Sequence, residues 1–288
     1  MSRKVLISVF LLFQLAICSL ANAEPIVSAS IKPLQLIAAA ITTGINESDT
    51  PGLIIGRTQD PHHPFLRPSE RMALYDADVL LWVGPQLESA LADIVDQSSS
   101  SIINAYKLSQ DKGLSILGVI DPHVWLSTQN ARLIAEALSQ TLTSIDAENR
   151  HQYMANLTEF LDSMDMLDTE INASLDSLKQ LPFAVYHNAF NYYEQQYGLE
   201  HIASYTENEE LQPGIRKVME VREILVANNV FCLVLEPSNN PEEISQLTGR
   251  DMNLVSIDIL GFDYAVNKTG YRDFMLGVTK SIKECLQP

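Results

Sequence analysis

The feature that most limits how this 288-residue chain can fold is one long amphipathic stretch near its middle. Between Glu148 and about Lys179, the apolar residues Tyr153, Leu157, Phe160, Leu161, Met164, Leu167, Ile171 and Leu175 recur at steps of three and four, the spacing that places side chains on one face of an α-helix. At ~1.5 Å per residue, a helix of about 30 residues reaches ~45 Å, more than the width of a small domain. Leu181-Pro182 ends it. Whatever lies before and after has to pack along that rod, which predicts two bodies with a helix between them.

Both flanks carry the same kind of pattern. Before the long helix, strand-like runs (Ile26 to Ser30, Leu53 to Gly56, Asp78 to Gly84) alternate with helical ones (Pro33 to Thr42, Pro68 to Tyr75, Pro85 to Ile94). Residues 130 to 145 read as a further helix. Beyond it, strands at Phe183 to Tyr186, His201 to Tyr205, Val230 to Leu235 and Leu254 to Ile257 alternate with helices at Ala189 to Tyr197, Gly214 to Asn229, Glu242 to Leu247 and Tyr271 to Leu286. Alternation of this kind produces parallel βαβ units. The expected architecture is α/β: two Rossmann-like lobes, residues 24–145 and 181–288, joined by one long α-helix over 146–180, with a ligand cleft between the lobes.

Arg3 and Lys4, the apolar run from Val5 to Leu20 and the small-x-small triplet Ala21-Asn22-Ala23 form a three-part export signal. This predicts residues 1–23 as a cleaved signal peptide and a mature protein starting at Glu24 in the periplasm. The apolar run is shorter than the ~20 residues that a spanning helix needs. Leu15-Ala16-Ile17-Cys18 resembles a lipidation box, with a bulky Ile17 where a small residue is usual. The whole chain carries 19 basic against 36 acidic residues, a balance that repels nucleic acid and anionic lipid. Cleavage would remove Cys18 and leave Cys232 and Cys285, a pair expected to be bonded in an oxidising compartment.

Six histidines are present, and none falls in a local zinc signature. His62 lies in a Pro-flanked loop after the second strand. His123 follows the run Leu117 to Pro122, and His187 follows the strand ending at Tyr186. Asp258 sits at the exit of the strand ending at Ile257. Open parallel sheets bind ligands beyond the carboxyl ends of their strands, so facing lobes could bring three imidazoles and a carboxylate together. His63, His151 and His201 carry less weight as ligands. Glu236, at a strand end, reads equally as a partner for a ligand imidazole or as a structural carboxylate. Trp82 and Trp125 read as packing residues.

Three words of the sequence go further. Asp60-Pro61-His62-His63-Pro64-Phe65-Leu66-Arg67-Pro68-Ser69 resembles the first metal loop of the periplasmic zinc-binding proteins of bacterial ABC importers. Asp121-Pro122-His123-Val124-Trp125-Leu126-Ser127 resembles the second, and Tyr186-His187-Asn188-Ala189-Phe190-Asn191-Tyr192-Tyr193 the third. Trp82 to Glu88, Gln212-Pro213-Gly214, Glu236-Pro237 and Asp258-Ile259-Leu260-Gly261 continue the order. The likeness implies His62, His123 and His187 as metal ligands, with Asp258 as a fourth ligand or nearby partner. It also implies Zn²⁺ as transported cargo, a membrane permease of an ABC importer as partner, a monomeric binding protein, and no enzymatic activity. Manganese-binding relatives place a glutamate where His187 stands. Many zinc-binding relatives carry a histidine-rich loop between the first two metal loops, and Tyr106 to Asp121 contains no histidine. The alternatives are a manganese- or iron-binding relative, a zinc hydrolase with an open three-histidine site, for which Glu209 and Glu210 would be acidic candidates, and an adhesin or regulatory protein with structural zinc.

Overall fold

The computed structural model describes residues 24–45, 50–116, 118–207 and 212–287. The expected signal peptide, and Glu209 and Glu210, lie outside the described residues. No described helix is long and apolar enough to cross a membrane.

The first lobe holds a four-stranded parallel sheet of β1 (Val27–Ala29), β2 (Gly52–Leu53), β3 (Val79–Trp82) and β4 (Ser101–Asn104), in the order β2-β1-β3-β4. The second repeats the plan with β5 (Phe183–His187), β6 (His201–Thr206), β7 (Cys232–Leu235) and β8 (Asn253–Ser256), in the order β6-β5-β7-β8. All pairings are parallel. In each sheet the order reverses beside the lobe's first strand. That leaves a crevice at the carboxyl ends between β1 and β3, and another between β5 and β7. β2 is shorter than expected, but Ile54 and Ile55 continue its line by donating to the carbonyls of Ala29 and Ser30 at 3.0 and 2.9 Å.

The helices of the first lobe are α1 (Lys32–Thr42), α2 (Pro68–Tyr75), α3 (Ala92–Gln97) and α4 (Ala105–Asp111). β4 and α4 were not expected from the sequence. β4 is an edge strand following a run of serines, and its Ile102 is exposed, so it lacks the continuous apolar signal of a buried strand. The turn after β3 is pinned by Glu88. This fully buried carboxyl accepts the N–H groups of Val83 and Gly84 at 2.9 and 3.3 Å, and burial pushes its pKa up to about 7.

α5 (Thr128–Ile145) packs on the first lobe, and α6 (Arg150–Leu175) follows it and leads into the second. α6 is the expected long helix, cut to 26 residues, or about 39 Å. It buries Tyr153, Asn156, Phe160, Met164, Leu167, Ile171 and Leu175 along one face. Fully burying a leucine or isoleucine contributes about 1.5–3 kcal/mol, so this stripe fixes the helix far more firmly than intrinsic propensity does. Asn156 adds a polar fastener: its Nδ2 donates to the carbonyls of Ile41 and Thr43 at 2.7 and 2.8 Å, satisfying the end of α1.

In the second lobe, α7 (Asn191–Tyr197), α8 (Ile215–Ala227), α9 (Pro241–Thr248) and α10 (Gly270–Leu286) surround the sheet. α7 stops at Gly198, which takes φ +73° and returns its N–H to Glu194, a conformation that favours glycine. One apolar core runs from β1, α1 and β3 through α5 and α6 into β5, α7 and α10. A second cluster fills the far face of the second sheet beneath α8 and α9. The lobes therefore share a core instead of meeting at a wet interface.

Polar contacts reinforce that junction. Asp168 of α6 accepts from Thr128 Oγ1 (2.6 Å) and Arg132 Nη2 (2.9 Å) on α5, and from Gln196 Nε2 (3.0 Å) and Tyr197 OH (2.8 Å) on α7. Trp125 donates from Nε1 to the Ile259 carbonyl at 2.8 Å, and its own carbonyl accepts from Tyr271 OH at 2.8 Å. Cys232 and Cys285 are disulfide-bonded, tying β7 to the end of α10.

Two stability predictions follow from these joints. Replacing Asp168 with Ala removes the acceptor shared by four donors at a partly buried junction, of which Arg132 keeps Asp165 and Gln196 keeps Thr128, and should lower the unfolding free energy by about 2–3 kcal/mol. Urea unfolding of the variant checks this, and a loss under ~0.5 kcal/mol would reject the hub role. The disulfide spans 53 positions, and the chain-entropy estimate for such a loop is about 4 kcal/mol. The Cys232→Ser/Cys285→Ser variant should therefore unfold at lower denaturant than the oxidised protein. Equal midpoints would contradict a stabilising bridge.

Candidate metal centre

His62, His123 and His187 converge where the two lobes face each other. Each offers a ring nitrogen, and these atoms lie within 4.8 Å of one another. Ring centroids are 4.8 Å apart for His123 and His187, 5.7 Å for His62 and His123, and 5.9 Å for His62 and His187. Tetrahedral Zn²⁺ with Zn–N bonds of ~2.0–2.1 Å sets its nitrogens ~3.3 Å apart. A contraction of at most ~1.5 Å would then complete the cage, which side-chain rotation can supply.

Each ring reaches this point by a different route. His187 is the last residue of β5, not the residue after it, so the sheet itself aims the side chain into the crevice. Glu236 follows β7, the neighbouring strand. The Glu236 carboxylate accepts from His187 Nδ1 at 2.6 Å, a contact spanning the place where the strand order reverses. Both side chains are almost fully buried. Of the two readings open for Glu236, the structure selects the imidazole partner.

His123 does not follow a strand. Residues 118–120 before it form a turn outside the sheet, with Gly118 at φ +82° and Val119 and Ile120 exposed. Asp121 fixes the ring instead. Its Oδ1 accepts from the His123 backbone N–H at 2.9 Å and from ring Nδ1 at 2.7 Å, while Oδ2 accepts from Asn191 of α7 at 3.0 Å. With Nδ1–H held by a carboxylate, the lone pair for a metal is on Nε2. Trp125 packs edge-on against this ring at 5.2 Å, the packing role expected of it.

His62 sits in the loop between β2 and α2, and is less buried than the other two. Its backbone N–H donates to Asp60 Oδ1 at 2.8 Å. Burial, and then the nearby His123, push its pKa down to about 4 against the opposing pull of Asp60. The ring is therefore neutral, with its lone pair available, across the physiological range.

Asp258 lies outside the group of converging ligand atoms. Its Oδ1 accepts the N–H groups of Leu260 and Gly261 at 3.0 and 3.1 Å, and its Oδ2 that of Phe262 at 2.8 Å. Gly261 has φ +67° in this turn. Asp258 thus shapes the loop that carries Ile259 to Trp125. It also lines an inter-lobe cavity of about 300 Å³ with Asp60 and Glu236. His63 and His151 are exposed. His201 is partly buried at the amino end of β6, the opposite end of the second sheet from His187. It is paired with Glu194 at 2.8 Å, and its pKa is raised, the Glu194 contacts outweighing burial.

Sequence reasoning did not identify Asp60 and Asp121 as carboxylates that fix the ligand loops. The signal was present in the repeated triplet Asp-Pro-His at 60–62 and 121–123. In both copies the aspartate accepts the N–H of the histidine two residues on.

Comparison with known proteins places this geometry in context. The chain is 27% identical over 309 residues to the high-affinity zinc uptake system protein ZnuA of Haemophilus ducreyi, covering 97% of this chain and 98% of that protein. It is 26% identical to the protein of the same name from Brucella abortus, with 93% of each covered. Among solved structures, the periplasmic zinc-binding protein TroA of Treponema pallidum matches with a TM-score of 0.78 at 16% identity, covering 92% of this chain and all of that one. A crystal structure of ZnuA matches with a TM-score of 0.75 at 23% identity, covering 91% and 98%. These structural likenesses show the shared two-lobe fold. The family described as "ZnuA: Zinc-uptake complex component A periplasmic" matches residues 27–285, and the chain belongs to that family.

Proposed function

We propose that this protein captures Zn²⁺ in the periplasm through His62, His123 and His187 and delivers it to the membrane permease of an ABC importer, acting as a binding protein and not as an enzyme. The observation that carries the reading is the convergence of three imidazoles from two lobes on one point. The domain limits 24–145, 146–180 and 181–288 are proposed with it, as the units that bring those rings together.

Ligand chemistry supports zinc as cargo. Imidazole nitrogen suits Zn²⁺ better than it suits manganese, which prefers carboxylate and water. Asp121 and Glu236 each accept a proton-bearing ring nitrogen, which raises the donor strength of the other nitrogen. The same bonds commit these two carboxylates to holding rings, which leaves them poorly placed to act as a general base on a metal-bound water. With Asp258 engaged by three backbone N–H groups, water is a better candidate than Asp258 for a fourth position.

His→Ala at 62, 123 or 187 should each weaken zinc binding by at least a hundredfold, measured by chelator competition against a parent binding one zinc per chain. Undiminished affinity in His187→Ala would refute the site.

Proton linkage gives a second test. A metal ion and a proton compete for the same lone pair, so affinity must fall as pH falls. The pKa of His62 is depressed to about 4, so its ring carries no proton to displace above about pH 5. Between pH 7 and 5.5, zinc binding should therefore release fewer than three protons, because His62 contributes none. Isothermal titration in buffers of different ionisation enthalpy counts them. Release of three would contradict a neutral His62.

A further inference from the structure

We infer that Asp60 is the positioning carboxylate of His62, accepting its ring N–H when zinc is bound, so that all three ligand imidazoles are held by carboxylates. The inference rests on the three-histidine zinc site proposed above and adds a residue to it.

Two pairs of this kind are already formed: Asp121 with Nδ1 of His123 at 2.7 Å, and Glu236 with Nδ1 of His187 at 2.6 Å. His62 alone makes no such ring bond among the described hydrogen bonds. The Asp-Pro-His turn that carries it is nevertheless the counterpart of the one that carries His123. In both turns the aspartate Oδ1 accepts the histidine backbone N–H, at 2.8 and 2.9 Å, and the intervening proline fixes φ and offers no competing donor. At 121–123 the carboxylate also takes the ring. At 60–62 the other carboxylate oxygen, Asp60 Oδ2, is buried and has no hydrogen-bond partner. A buried carboxylate oxygen without a donor costs free energy. The His62 ring is a donor carried by the same turn, as the His123 ring is in its counterpart. The ~1.5 Å contraction that tetrahedral coordination requires moves the His62 ring in any case, and a ligand histidine almost always donates its other N–H to a carboxylate, carbonyl or water. Asp60 does not belong to the group of converging ligand atoms, which favours an orienting role over direct ligation.

The test compares the full mature protein with its Asp60→Asn and Asp60→Ala variants, using zinc as the probe. Asp60→Asn retains an amide oxygen for the His62 backbone N–H, so the turn and the thermal stability of the metal-free protein should stay near the parent values. Its amide donor cannot accept the ring N–H. Chelator competition should show a ten- to hundredfold loss of affinity in Asp60→Asn, the range seen for such partners. Asp121→Ala, which removes the oxygen that accepts both the ring and the backbone N–H of His123, should lose at least as much. In ¹H–¹⁵N spectra of histidine-labelled, zinc-loaded protein, the parent should show three slowly exchanging imidazole N–H signals from the zinc-site rings, beside that of His201 on Glu194, and each Asp60 variant one fewer. All the parent's signals retained in Asp60→Ala, or affinity within twofold of the parent in Asp60→Asn, would overturn the inference while leaving the zinc site intact. A parent protein that binds no zinc would overturn both.

Discussion

The constraint on which the rest depends is the single apolar core that runs through α6 from one sheet to the other. Two α/β lobes linked by loops would be free to hinge. Here α6 packs its buried stripe against neighbours from both halves, and α10, the last element of the second lobe, also lies against α1 of the first. Opening the cleft widely would expose apolar surface at about 25 cal/mol per Å², break the donors gathered on Asp168, and separate Trp125 from Ile259. A cleft so braced adjusts by rotating side chains and shifting loops, a scale matched to the small contraction that three imidazoles need around zinc.

That rigidity makes the protonation state of the rings matter more than their distance. At His62, burial and the neighbouring imidazoles of His123 and His187 oppose a proton on the ring. The buried carboxylates at His123 and His187 then set which nitrogen bears hydrogen, so the lone pairs face the shared point before any ion arrives. The acidic surface raises the local concentration of cations only diffusely, since charges are screened over ~8 Å at physiological salt. Selection among cations falls to the rings, whose nitrogen donors prefer zinc to the harder ions that oxygen ligands would hold.

Much of this was legible in the sequence, where a local pattern is enough. The period of residues 148–179 marked the long helix, and the alternation on either side marked both sheets. The strand exit at Tyr186-His187 located one of the three converging imidazoles, because a parallel strand's carboxyl end is where a ligand side chain is useful. What could not be read depended on tertiary context. β4 was hidden because an edge strand needs little apolar signal. The run before His123 reads as apolar, yet Val119 and Ile120 are exposed. Asp258 looked available because a sequence cannot show three backbone N–H groups closing around a carboxylate. Asp60 and Asp121 were quoted within the metal loops, but their bonds to the following histidines appear only once the turns are folded.

On the proposed function, the unequal burial of the three rings bears on how cargo enters and leaves. His187 is anchored by a strand and Glu236, and His123 by Asp121 with Asn191 of α7 behind it. Both rings are buried. His62 is more exposed and stands on a loop that contacts the second lobe by the surface pair Arg57–Asp263, a contact worth at most about 1 kcal/mol. With the core preventing a wide hinge motion, the least costly way to lose a zinc–nitrogen bond is to move the ring whose surroundings cost least to disturb. His62 is that ring. A permease that draws the 56–67 loop away would reduce the coordination from three imidazoles to two without unpacking either lobe. The affinity that makes the protein a scavenger would then be lowered at one loop while the shared core stays closed.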